Sequence, residues 1–153
     1  MKTTITLLAI VTISAATAFS QSTLRFSGVC SKDDTQDSVE MIMAGNGEKL
    51  NVKETAILTE KDIQSAIPFK NKEIVGLALK LNPEGIKRFS DALPSLYQKR
   101  MAIIIDDKLV SAPKILLKRA NAQMQIEGSF SFEEATNVAL AINKAEPGAA
   151  ANP

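Results

Sequence analysis

One thiol and no imidazole set the terms on which this chain can fold: its 153 residues include a single cysteine, Cys30, no histidine and no tryptophan. An intramolecular disulfide is excluded, and so is every zinc site assembled from His and Cys. The fold must be held by apolar packing, within a length that suits one domain with one real core. Cys30 follows Ser27-Gly28-Val29, well beyond the first hydrophobic segment and badly placed for a lipid anchor, and reads as a free, buried small residue. The same absences remove reaction classes. Ser-His-Asp and Cys-His nucleophiles are impossible, which leaves carboxylate, lysine or serine chemistry, and none of these has a recognisable motif.

Residues 1–20 have the build of a secretory signal peptide. Lys2 supplies the positive start, residues 5–18 are almost wholly apolar or small, and Ala18-Phe19-Ser20 places small side chains at the third and first positions before Gln21. The run is shorter than the about twenty apolar residues of a bilayer span, and no later segment is long enough. The expected mature protein begins at Gln21, has no integral membrane segment, and works outside the cytoplasm, in the periplasm or extracellularly. Lys2 is the one charged residue of the leader, so 17 basic and 17 acidic side chains remain. Interspersed charges that sum to zero lack the single-sign field that nucleic acid or an anionic membrane surface requires, and both are set aside as partners.

Along the expected domain, 21–53 reads as strands and a hairpin and 54–145 as an α+β region, with 146–153 a disordered tail. Residues 24–26 form a short strand, and 39–43 and 50–52 flank Ala44-Gly45-Asn46-Gly47-Glu48, whose Asn-Gly pair favours a turn. Thr59 is placed to cap a helix of about two turns carrying Ile63, Ala66 and Ile67 on one face and stopped by Pro68. In 73–81, Val75, Leu77, Leu79 and Leu81 alternate with smaller or polar residues, the pattern of a strand with one buried face. Asn82-Pro83-Glu84 starts a helix striped by Ile86, Phe89, Leu93 and Leu96, which Pro94 kinks or ends. The β-branched run 101–105 pairs with Leu109-Val110 across an Asp106-Asp107-Lys108 turn, and 115–117 and 123–128 read as further short strands, with Met124 and Ile126 facing inward. Ser131-x-x-Glu134 is a capping box for a last helix with Ala135, Val138, Ala139 and Ile142 inward. The expected fold is α+β, a mixed or antiparallel sheet packed on about three helices.

Four clusters invite a chemical reading and each is better explained structurally. Asp106-Asp107 suggests an acid–base pair or a divalent-ion site, but neighbouring turn residues point apart into solvent. Asp33, Asp34 and Asp37 lack the alternating oxygen ligands and central glycine of a calcium loop. Gly45-Asn46-Gly47 lacks the lysine, hydroxyl and helix start of a phosphate cradle. Lys114, Lys118 and Arg119 form a modest basic cluster without interleaved aromatic residues, a solvated edge that discourages strand pairing. No cofactor and no metal site is expected.

Four stretches carry a family resemblance. Ile57-Leu58-Thr59-Glu60-Lys61-Asp62-Ile63-Gln64-Ser65-Ala66 resembles the Leu-Thr-Gly-x-Asp-Leu-x-x-Ala helix of the head subdomain in the first periplasmic domain of SecD. Leu79-Lys80-Leu81-Asn82-Pro83-Glu84-Gly85-Ile86-Lys87-Arg88-Phe89 is similar to that family's Phe-x-x-Glu-Gly-Ala-x-x-Phe. Arg100-Met101-Ala102-Ile103-Ile104-Ile105-Asp106-Asp107-Lys108-Leu109-Val110-Ser111-Ala112-Pro113 matches its Leu-Ala-Ile-Val-Leu-Asp-Gly-x-Val-x-Ser-Ala-Pro. Finally, Ile126-Glu127-Gly128-Ser129-Phe130-Ser131-Phe132-Glu133-Glu134-Ala135 is similar to its Ile-x-Gly-x-Phe-Thr-x-Glu-Glu-Ala. In two places the chain departs from the pattern: Asp107 stands where the family has a hairpin glycine, and Leu117-Lys118-Arg119-Ala120-Asn121-Ala122 replaces a glycine-rich stretch.

The resemblance implies a SecD head-like fold outside the cytoplasm, in a family whose head contacts emerging polypeptide and is not an enzyme. With the transmembrane segments of SecD absent, a proton-driven motor is excluded. The expected function is a noncatalytic binding module that holds an extended polypeptide or an envelope partner against a sheet edge or apolar groove. The candidate contacts are Lys108, Val110, Ser111, Pro113, Ile115, Lys118 and Arg119. The rival from another class is a structural or self-assembling envelope protein with a borrowed fold, and a carboxylate hydrolase is a remote third.

Overall fold

The computed structural model describes residues 23–34 and 36–144. In chain order these form β1 (Leu24–Val29), β2 (Ser38–Ile42), β3 (Lys49–Thr59), a single 3₁₀ turn (Glu60–Asp62), β4 (Ile63–Asn71), β5 (Ile74–Leu81), α1 (Pro83–Leu96), β6 (Met101–Ile105), β7 (Lys108–Ser111), β8 (Gln123–Glu127) and α2 (Phe132–Lys144). The expected signal peptide (1–20) and tail (146–153) lie outside the described residues.

Every strand pairing is antiparallel. One sheet has the order β2-β3-β1-β6-β7 and the other β4-β5-β8. The β-branched run 101–105 is continuously apolar because β6 lies inside the first sheet and is buried on both faces. Met101, Ile103 and Ile105 join the main core with Phe26, Leu58, Leu77, Leu81, Phe89 and Ile142. Ala102 and Ile104 point the other way into a small second core with Met43, Val52 and Leu109. That second core is enclosed because the sheet curls until its two ends meet: the Ala44 N–H, just past β2, donates to the Leu109 carbonyl of β7 at 2.8 Å.

Two of the expected elements are different in kind. The segment after Thr59 makes only one 3₁₀ turn and then enters β4, so the fold has two helices where about three were expected. A β-bulge explains the misreading. Register slips between Ile63 and Ser65, so the inward residues are Ile63 and Ala66, a spacing of three that imitates a helical face, while Ile67 is left exposed. Pro68 is tolerated because β4 is an edge strand. The second correction concerns 115–117, which is not a strand. Pro113 has no N–H, and Ile115 instead exchanges backbone bonds with Lys99 and Gln98 in the loop after α1 (2.8 Å each), leaving Leu116 and Leu117 exposed.

The helix starts and turns follow their local chemistry. Asn82 Oδ1 accepts from the Gly85 N–H at 2.8 Å, and α1 runs to Leu96, two residues past Pro94. Ser131 Oγ accepts from Glu134 N while Glu134 Oε2 accepts from Ser131 N, the reciprocal box that starts α2. Asp106 and Asp107 both have positive φ (48° and 63°), as a two-residue type I′ hairpin turn demands.

Candidate functional site

Where an extended polypeptide could add to this fold is decided by which sheet edges are already taken. The outer side of β4 is closed by α2: Asn143 Oδ1 accepts from the Ala66 N–H and Asn143 Nδ2 donates to the Ala66 carbonyl, both at 3.0 Å. The outer side of β7 is closed twice, at Leu109 by Ala44 and at Val110, whose carbonyl accepts from Ser129 N at 3.0 Å. Between β2 and residues 107–109 remains a cleft of about 590 Å³, whose lining mixes apolar residues with the charged Arg25, Glu40, Lys53, Glu54, Asp107 and Lys108.

β8 is different. The Leu81 N–H donates to the Ala122 carbonyl at 2.7 Å, which makes 81/122, 79/124 and 77/126 the bonded pairs with β5. The backbone groups of Gln123, Gln125 and Glu127 therefore point away from β5. The Gln123 N–H donates to Asn121 Oδ1 at 3.4 Å, whereas Gln125 and Glu127 face a groove of about 430 Å³ that opens between β8 and residues 111–117. The two walls are joined at one end, where Gly128 packs on Val110. A Cβ on Gly128 would lie 2.6 Å from the Val110 carbonyl oxygen, so only glycine permits this approach. Phe89, Met101, Ile103 and Ile126 supply apolar surface to the groove, and Leu116 and Leu117, 64% and 51% exposed, stand on its rim.

The seven residues expected from sequence are dispersed by this geometry. Ser111, Pro113 and Ile115 do line the groove, with Ile115 buried. Val110 is a buried core side chain. Lys108 is occupied in an ion pair with Glu134. The Lys118 ammonium lies 5.8 Å from the Tyr97 ring centroid, a cation–π contact, and Arg119 is exposed outside the groove. Leu116 and Leu117 fall within the 115–119 segment expected from sequence, whereas the opposite wall, Met124 to Glu127, was missed.

Two ion pairs brace the surroundings. Arg100 holds Glu48 in a bidentate pair (Nη1–Oε1 2.7 Å, Nη2–Oε2 3.0 Å) and donates from Nε to the Ala112 carbonyl at 2.8 Å, tying the β2–β3 turn to the strand end that borders the groove. The guanidinium lowers the Glu48 carboxyl below its ordinary value, and Arg100 is raised in return. The Glu134 carboxyl is likewise lowered, first by Lys108 and then by the Ser131 N–H it accepts from. Among the described residues no group of three or more His, Cys, Asp or Glu side chains is arranged to hold a metal ion, and no helix is long and apolar enough to cross a membrane.

The model of the SecDF P1 head subdomain matches residues 16–146. The chain belongs to this family. Two relatives of the P1 head are the protein translocase subunits SecD of Calditerrivibrio nitroreducens and Petrotoga mobilis. Both are 33% identical, over 96 and 87 residues that make up 60% and 56% of this chain. The chain spans about a fifth of the length of these relatives, 18% of each. Among solved structures, SecDF, described as a membrane component that enhances protein export, superposes with a TM-score of 0.59 at 23% identity, covering 80% of this chain and 62% of that one. The stretches that resemble the P1 head lie mostly at structural junctions: the Asp62–Gly85 contact and the Ser131 box. Ser111-Ala112-Pro113 is the exception, since Ser111 and Pro113 border the groove.

Proposed function

We propose that this chain is an exported, noncatalytic module of the periplasm or cell envelope that binds an extended polypeptide on the free edge of β8, in a role linked to protein translocation. The reading is carried by one observation. β8 presents unpaired backbone groups beside an apolar groove, whereas the outer sides of β4 and β7 are occupied by the chain itself. An added strand would take backbone hydrogen bonds from Gln125 and Glu127 for affinity, and the groove would sort its side chains for selectivity. Placement in translocation and outside the cytoplasm is supported by kinship with translocase subunits. No catalytic step is assigned to any residue.

Gln125→Pro tests this directly. The lost N–H points away from β5, and proline is compatible with a strand edge, so the fold should survive as judged by circular dichroism. With wild-type protein, an unstructured apolar peptide should shift the amide NMR signals of Gln125 and Glu127, and the proline variant should lose that binding. Undiminished binding by the variant would refute the β8 site, and a mass that rises with concentration in the absence of peptide would favour self-assembly instead.

A further inference from the structure

Beyond Lys114 from the β8 groove lies a second depression of about 790 Å³, with Ile57 and Leu96 among its apolar lining. Its charged lining is Lys53, Lys99, Arg100 and Lys114 against a single acid, Asp34. These cations differ in standing. Lys53 is paired with Asp34 at 3.2 Å and donates to the Gln36 carbonyl, and Arg100 is held by Glu48. Lys99 and Lys114 are exposed and make no ion pair among the described residues. The two segments that carry them are held together, because Arg100 bridges Lys114 and the Lys99 carbonyl accepts from Ile115 N at 2.8 Å. Lys114 also lines the β8 groove, so the two depressions meet at this residue.

We infer that this second depression receives acidic residues flanking the apolar stretch of a bound polypeptide, so that the module selects segments in which an apolar run adjoins Asp or Glu side chains. The inference rests on β8 being the polypeptide edge and adds the class of segment it prefers. Charge complementarity commits the occupant: with Lys53 paired to Asp34 and Arg100 to Glu48, Lys99 and Lys114 leave two unbalanced positive charges, and an apolar lining suits a chain segment better than a free ion. Individual exposed pairs contribute little, so two or three together amount to about tenfold in affinity, screened as salt rises.

Cys30 supplies the readout. It lines the same depression, is half-buried where sequence led us to expect a buried thiol, and is the chain's one cysteine, so its alkylation rate reports occupancy. Synthetic peptides sharing one apolar, β-branched core and carrying an Asp, Ser or Lys flank are compared by affinity, by Cys30 alkylation and by the Gln125 amide shift. The Asp-flanked peptide should bind about tenfold tighter than the Ser-flanked one at low salt and should slow alkylation. A Lys99→Glu, Lys114→Glu double variant should lose both effects and favour the Lys flank; both sites are exposed, and circular dichroism checks the fold. Equal affinity for all three flanks, with the Gln125 shift retained, overturns the inference and leaves the β8 reading standing. No Gln125 shift with any peptide overturns the β8 reading and this inference with it.

Discussion

Gly85→Ala isolates the contact on which two of the family-like motifs converge. Gly85 sits in the first turn of α1, where a Cβ would lie 2.2 Å from the Asp62 carbonyl oxygen and 3.0 Å from the Asp62 Cβ. An ordinary carbon–oxygen contact is about 3.3 Å or more, so the 3₁₀ turn must retreat by roughly 1 Å. That turn is held by several short bonds: Asn82 N to Asp62 O (3.0 Å), Asn82 Nδ2 to Lys61 O (2.7 Å) and Thr59 N to Asp62 Oδ2 (2.9 Å). Overpacking costs about 1–3 kcal/mol, and a weakened hydrogen bond to a buried group adds about 1 kcal/mol. Alanine's better helix propensity returns up to about 1 kcal/mol. The net loss should be about 2 kcal/mol, a fall in Tm of about 6–10 °C for a domain of this size. Urea unfolding followed by far-UV circular dichroism measures it, with Ser90→Ala on the exposed side of the same helix as a control that gains propensity without a clash. A Gly85→Ala protein as stable as wild type would show that the close approach does not constrain the fold.

Asp107→Gly should stabilise the protein by about 0.5–1 kcal/mol, because φ of 63° strains any side chain there; an unchanged urea midpoint would count against the type I′ account. Ser27 Oγ is wholly buried with no hydrogen-bond partner among the described residues, so Ser27→Ala should be neutral or raise stability by about 1 kcal/mol, and a loss of that size would mean the hydroxyl is satisfied. Glu48 and Glu134 both have carboxyls lowered from 4.5 by their cationic partners. The stability they contribute is therefore fully present above that value and is lost as pH falls through each folded-state value. Urea midpoints measured from neutral pH downward should decline less steeply below that value in the Glu48→Gln, Glu134→Gln double variant, and parallel profiles would remove both pairs from the acid sensitivity.

The helix at Asn82-Pro83, the Ser131 box and the Asp106-Asp107 turn were legible from sequence because each is satisfied by side chains and backbone within a few residues. The alternation in β5 and the apolar run of β6 were legible because burial imposes its period on neighbouring positions. The β4 segment was misread because its period is set by a bulge that exists only once it pairs with β5. Ser111, Pro113 and Ile115 entered from reading 108–113 and 115–119 as strand segments, and all three line the groove. Their partners across the groove were not found, because polar alternation in 123–127 says that one face is buried and nothing about whether an edge is paired.

What the sequence determined by itself is local and compositional: a fold held by packing, a neutral expected mature part, and the positions where helices and turns begin. Tertiary structure alone decided which edges remain open. Asn143 reaches Ala66 from 77 positions away, and Gly128 meets Val110 across an intervening loop, so the closing of β4 and β7 and the freedom of β8 depend on contacts between distant residues. An edge strand and an inner strand can share one side-chain pattern, since pairing uses backbone groups that every residue carries alike.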